Sequence, residues 1–149
     1  MLRKERAGYF HSGRTMNGRT EILHNWRVTT DARGVALAIA RQMGGDVRAI
    51  EDSSHGRWEV LTDSPAAEIL VSEVTDGDVA FSLPGGEGIG AFSFCSNMWN
   101  PEEISQLPNG RDSFSVECEM ALKPVEFKTR TGLTVLYVLP SIKLLTSNR

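Results

Sequence analysis

From Ser113 to Leu122 the chain reads SFSVECEMAL, and its alternation is strict. Phe114, Val116, Cys118 and Met120 fall on one side, while Ser115, Glu117 and Glu119 fall on the other. Successive side chains of a strand point to opposite faces, so this period puts one face on a core and the other in water. An antiparallel sheet solvated on one side has that pattern, whereas a helix would scatter the same residues around its circumference. Other segments fit the same sheet. Strands are expected at roughly Gly8–Ser12 and Glu21–Thr29, joined through the turn former Asn17-Gly18. DVRAI, RWEVLTD (Trp58 and Val60 against Glu59 and Leu61), EILVSEV and DVAFSL also read as strands. VEFKTRTGLTVLYVLPSI reads as a hairpin turning near Thr131-Gly132, and its last strand is apolar enough to be central.

Helical signals are confined to two places. In WRVTTDARGVALAIARQMGGDV, Thr30 or Asp31 can cap a helix whose residues Val35, Ala36, Ile39, Ala40 and Met43 share one face. Gly44-Gly45 ends it, because glycine takes left-handed conformations without a Cβ clash. The opposite face aligns Arg33, Leu37 and Arg41 at intervals of four. An apolar residue between two arginines there is either a partner contact or a side chain covered by a loop, with the arginine stems packed beside it. The second signal is MWNPEEISQLPNG: Asn100 caps, Pro101 opens the helix and Glu103 completes a capping box. Trp99 is placed to staple onto Ile104. The expected fold is therefore α+β: a mainly antiparallel sheet with one amphipathic helix packed on it and a second short helix. It forms a single domain over residues 1–149, with an N-terminal unit at about 8–72 and a β-rich part at about 73–149.

Chemistry is sparse. PGGEGIGA (Pro84 to Ala91) has the small residues of a dinucleotide fingerprint, but strand-like FSFC follows it, so no helix N-terminus would face a phosphate. A glycine-rich loop between strands is the better reading. The three histidines, His11, His24 and His55, are scattered. Cys95 and Cys118 stand 23 residues apart with no Cys-x-x-Cys, so both are expected to be small buried hydrophobes. No catalytic residue, cofactor or metal is expected. The opening MLRKERAGYF lacks a signal-peptide core, and the longest apolar run, Leu133 to Leu139, is too short to span a bilayer. A cytoplasmic protein is expected. The net charge of −3 conceals basic ends: Arg3, Lys4, Arg6, Arg14 and Arg19 at the start, and Lys123, Lys128, Arg130, Lys143 and Arg149 toward the close. Nothing matches the basic excess of a dedicated nucleic-acid binder.

The order GRTEILHNWRVTT, capped helix, MGGDVRAIE and RWEVLTD resembles the phage-encoded recombination directionality factors that act on large serine integrases. The likeness covers about residues 8–72, and KTRTGLTVLYVLPSI is similar to the family's closing strand. Cys95 and Cys118 do not reproduce the cysteine-rich segment these factors carry in their second half. The resemblance implies a non-enzymatic phage or prophage accessory protein in the bacterial cytoplasm. It would bind a DNA-bound serine integrase and bias DNA recombination toward excision through protein–protein interaction. Arg33, Leu37 and Arg41 are the first expected contact, and Arg14 and Arg19 at the hairpin tip the second. A direct DNA- or RNA-binding module using the basic ends, and a phage structural or host-interaction protein, are the alternative readings.

Overall fold

The computed structural model describes residues 6–16, 18–50, 56–85, 87–108 and 115–145. Asn17, Glu51-Asp52, His55, Gly86, Asn109-Gly110 and the Ser113-Phe114 start of the alternating stretch lie outside the described residues. The strands are β1 (Gly8–Met16), β2 (Arg19–Thr30), β3 (Asp46–Ile50), β4 (Arg57–Leu61), β5 (Ala66–Thr75), β6 (Asp78–Ser82), β7 (Phe92–Cys95), β8 (Val116–Lys128) and β9 (Thr134–Leu144). Helix α1 spans Arg33–Met43 and α2 spans Pro101–Ile104. The fold is α+β. Among the described residues one nine-stranded sheet runs β3-β4-β2-β1-β7-β6-β5-β8-β9, and only its β1–β7 pair is parallel.

The sheet curls on itself. Trp26 Nε1 of β2 donates to the Met120 carbonyl of β8 at 3.4 Å, although those strands stand five places apart in the order. In a flat sheet five places would separate them by roughly 24 Å. Residues 62–65 link β4 to β5 and close the gap. Thr62 N–H donates to the Trp26 carbonyl at 2.9 Å, Trp26 N–H to Ser64 O at 3.3 Å, and Leu122 N–H to Pro65 O at 2.8 Å. The chain from β4 to β5 thus lines β2 with its first half, and β6 and β8 with its second.

The core fills this curl. Phe10, Trp26, Val28, Val60, Ile69, Phe81, Phe92, Phe94, Cys118 and Met120 are buried, joined by Ala36 and Ile39 of α1. Two of its ring pairs meet edge-on, with centroids 5.0 Å apart for Phe10–Phe81 and 4.8 Å for Trp26–Phe94, an arrangement that an aromatic quadrupole favours. Trp26 stands two residues before Val28 and shares its inward face, and just before it the β1–β2 register slips between His11↔Arg27 and Gly13↔Ile22, leaving Leu23 to Trp26 opposite Ser12 alone.

Several expectations are corrected. Helix α1 is capped at Ala32 without a side-chain bond, not at Thr30 or Asp31. The Thr30 hydroxyl accepts from Ala32 N–H at 3.2 Å and donates to the Ala7 carbonyl at 2.6 Å, so it joins the helix entry to the start of β1. Asn100 caps α2 as expected, by accepting from Glu102 N–H at 2.9 Å. Glu103 does not close a capping box; its carboxylate turns away to accept from Ser141 Oγ at 3.1 Å, which pins α2 to β9. Trp99 packs edge-on against Phe94 at 5.4 Å and donates to the Gly77 carbonyl at 2.8 Å. Cys118 is buried but Cys95 is exposed, because the β7 burial pattern breaks at its last residue. The apolar strand expected at the sheet's centre is β9, and it is an edge.

Candidate interaction surface

Helix α1 turns Ala36 and Ile39 fully inward, with Val35, Ala40 and Met43 half-buried beside them. Arg33, Leu37 and Arg41 are exposed on the other side, and Leu37 keeps 38% of its surface, so none of the described loops closes over it. Arg33 is partly engaged: its guanidinium lies 5.6 Å from the centroid of the Trp58 ring, a cation–π distance.

The helix is held firmly at its C-terminal end. Gly44 N–H donates to Ala40 O at 2.8 Å, Asp63 N–H to Met43 O at 3.3 Å, and Gln42 Nε2 to Pro84 O at 3.0 Å. Gly44 and Gly45 have φ of 78° and 98°, and a Cβ on Gly45 would strike the Leu61 carbonyl. The double glycine therefore presses the helix end directly against the β4–β5 connection. The outward stripe rides on a fixed base.

Arg14 and Arg19 belong to the tip of the β1–β2 hairpin, where the backbone register sets Arg14 opposite Glu21 and Arg19 opposite Met16. The tip lies at the N-terminal end of β2, and α1 begins beyond its C-terminal end. The structure thus brings Arg33, Leu37 and Arg41 together but leaves the arginines of the tip as a separate feature.

A polar cluster on β1, β2 and β4 was not anticipated. Arg27 Nε donates to Glu59 Oε2 at 2.6 Å, and His11 Nε2 shares a 2.8 Å hydrogen bond with Thr29 Oγ1. At the rim, Arg57 pairs with Asp31 at 3.5 Å with both side chains largely solvated, so the pair adds little. Arg57 and Asp31 also border a depression of about 350 Å³ together with Arg6, Tyr9 and Thr29. The signal was in the alternation: Tyr9 and His11 share a face with Arg27 and Thr29 once the strands pair. Among the described residues no group of three or more His, Cys, Asp or Glu side chains is placed to hold a metal. Burial pushes the Cys118 thiol up to about 11, so it is not poised as a nucleophile.

His11 gives the cluster a pH signature. Burial, then the charges of Arg27 and Arg57, hold its imidazole down to about 4 from an ordinary 6.5, against a smaller opposing pull from Glu59. Between those values the unfolded chain binds the proton and the folded chain does not, so stability rises with pH across that window. Acidification from pH 7 to 4 is expected to cost roughly 2 kcal/mol through this group, discounted for its partial solvent access. His11→Gln should flatten that part of the stability–pH curve, measured by urea denaturation at half-unit intervals. An unchanged slope in the variant would assign the effect elsewhere.

Comparison with protein-family models, with curated proteins and with solved structures finds no match to this chain. Among the described residues, no helix is long and apolar enough to cross a membrane.

Proposed function

We propose that this chain is a non-enzymatic docking protein whose contact surface is the Arg33–Leu37–Arg41 stripe of α1. The observation that supports the reading is an exposed leucine held between two arginines on a helix whose far side is buried in the core. An apolar anchor flanked by guanidinium groups suits a protein partner with an apolar pocket rimmed by acids. The resemblance of residues 8–72 to recombination directionality factors names the partner class: a serine integrase on its DNA, biased toward excision. The β1–β2 tip with Arg14 and Arg19 is the second contact. No active site is required. Reversing a hundredfold preference between two integrase arrangements takes on the order of 5 kcal/mol of differential affinity, within reach of a modest interface.

The test is a gel-shift series with integrase, DNA and this chain. A supershift is expected only when integrase is present, and Leu37→Glu should weaken it at least about tenfold with unchanged thermal melting. Full association by a folded Leu37→Glu chain would overturn the assignment of the face. Retention of bare DNA at low salt, lost steeply as salt rises, would favour the nucleic-acid-binding alternative instead.

A further inference from the structure

The hairpin of β8 and β9 leaves the body of the protein. Strand β5 pairs with β8 only from Val116 to Ala121, and Leu122 makes the last bond across, to Pro65. From Lys123 to Lys128, β8 has β9 on one side and, among the described residues, no strand on the other. A two-stranded ribbon is marginal in water, yet this one displays apolar surface: Phe127, Leu133 and Leu136 are 47%, 66% and 44% exposed.

Its alternation also reverses. In the body Cys118, Met120 and Leu122 point to the core, but in the arm the apolar residues of β8 are Val125 and Phe127, one position out of phase. Opposite them stand Tyr137 and Val135, and the Phe127 and Tyr137 rings meet edge-on at 5.9 Å. Neighbours across an antiparallel pair share a face, so Val125, Phe127, Val135, Tyr137 and Leu139 form one apolar face that the core does not cover.

The ladder shows which main-chain groups have no strand beside them among the described residues. Leu122 N–H points at Pro65, away from β9, so Leu122 and its partner Pro140 form a non-hydrogen-bonded pair. Pro140 therefore turns its missing N–H to the outer edge, and by the same parity Thr134, Leu136 and Val138 turn their N–H and C=O groups outward. The Leu145 N–H bond to Glu117 O at 2.9 Å confirms the phase, since odd-numbered residues of β9 face β8.

Free edges elsewhere carry charge. Strand β3 has Asp46 and Arg48, and the open side of the β8 arm has Pro124, Glu126 and Lys128. Charges and proline are the usual guards against edge pairing. From Thr134 to Val138 the outer edge of β9 has none. That stretch is also self-complementary: an antiparallel copy centred on Leu136 pairs Leu136 with its twin and Thr134 with Val138. Every outward N–H and C=O of the segment then finds a partner. No like charges meet, because each Glu126 stays one strand removed from the axis.

From this geometry we infer that β9 is a homodimerisation edge. Two copies pair antiparallel about Leu136, joining their arms into a four-stranded sheet. The two-fold axis stands perpendicular to that sheet, so both apolar faces lie on the same side and merge. The inference is independent of the α1 docking surface, which belongs to a different part of the chain.

Sedimentation of the full chain at about 100 µM is expected to give twice the chain mass, dissociating on dilution. Leu136→Pro removes the central outward donor without touching the bonds to β8, and Leu136→Lys places two like charges on the axis. Each should weaken the dimer by about thirtyfold or more with unchanged circular dichroism. In a Cys95→Ser background, Leu136→Cys should cross-link copies on oxidation, because hydrogen-bonded pairs sit about 5.5 Å apart. Thr134→Cys should not, its twin being about 14 Å away. A monomer at all concentrations, as expected if the edge instead takes a strand from another protein, overturns the inference. So does a dimer indifferent to both substitutions, or cross-linking at 134 in place of 136.

Discussion

Replacing Gly45 by alanine is expected to destabilise the fold by about 3 kcal/mol or more, far beyond an ordinary glycine substitution. Two costs combine. At φ 98° the backbone is in a region that a residue with a Cβ enters at about 1–2 kcal/mol. The new methyl would also strike the Leu61 carbonyl, a backbone atom that cannot swing aside. Leu61 pairs with Asp46, the first residue of β3, and its neighbours Thr62 and Asp63 hold Trp26 and the end of α1. The strain falls where helix, edge strand and core meet. For a chain of this size the melting temperature should drop by roughly 6–12 °C, followed by far-ultraviolet circular dichroism. Gly132→Ala is the control: φ is 85° there too, but a Cβ would meet no described atom within 4 Å, so only the conformational term of about 1–2 kcal/mol applies. Equal losses in the two variants would mean that the close approach to Leu61 contributes nothing.

That contrast marks what the sequence made legible. Local rules worked where the signal was local. The helix stop at Gly44-Gly45, the buried face of α1, the alternation of β8 and the turn at Gly132 all depend on residues a few positions apart. The candidate stripe was legible for the same reason, since helical spacing alone puts Arg33, Leu37 and Arg41 on one line. What failed was neighbourhood. An apolar strand such as β9 reads as central because hydrophobicity reports how much surface wants covering, not which strand lies alongside. Here Leu136 stays exposed and Val135, Tyr137 and Leu139 are only half-buried. The parallel β1–β7 pair and the β2–β8 contact join residues distant in the chain, and no periodicity encodes them. Glu103 shows the same limit on a smaller scale. Its spacing from Asn100 suits a capping box, but β9 offers Ser141 within reach, and the tertiary partner wins.

Trp26 tests whether the curl of the sheet is a source of stability or a passive result of twist. Its side chain is fully buried, lies against Phe10 and Phe94, and sends its N–H to a strand five places away. Truncation to alanine opens a cavity bounded by both halves of the sheet, which cannot collapse without unrolling it. A loss of about 3–5 kcal/mol is expected, seen as a fall of roughly 2 M in the urea midpoint. Trp26→Phe keeps most of the ring contact and forfeits the hydrogen bond, so it should cost far less. Hydrogen exchange locates the effect. The Leu122 amide, bonded to Pro65 beside the Trp26 contact, should lose protection in Trp26→Ala, whereas the Leu145 amide, bonded to Glu117 within the β8–β9 hairpin, should keep more of its own. If both amides lose protection equally, the two halves unfold as one unit and the indole stabilises the whole sheet. If neither does and the midpoint holds, the curl is maintained by the covalent run from β4 to β5, and the tryptophan merely fills it.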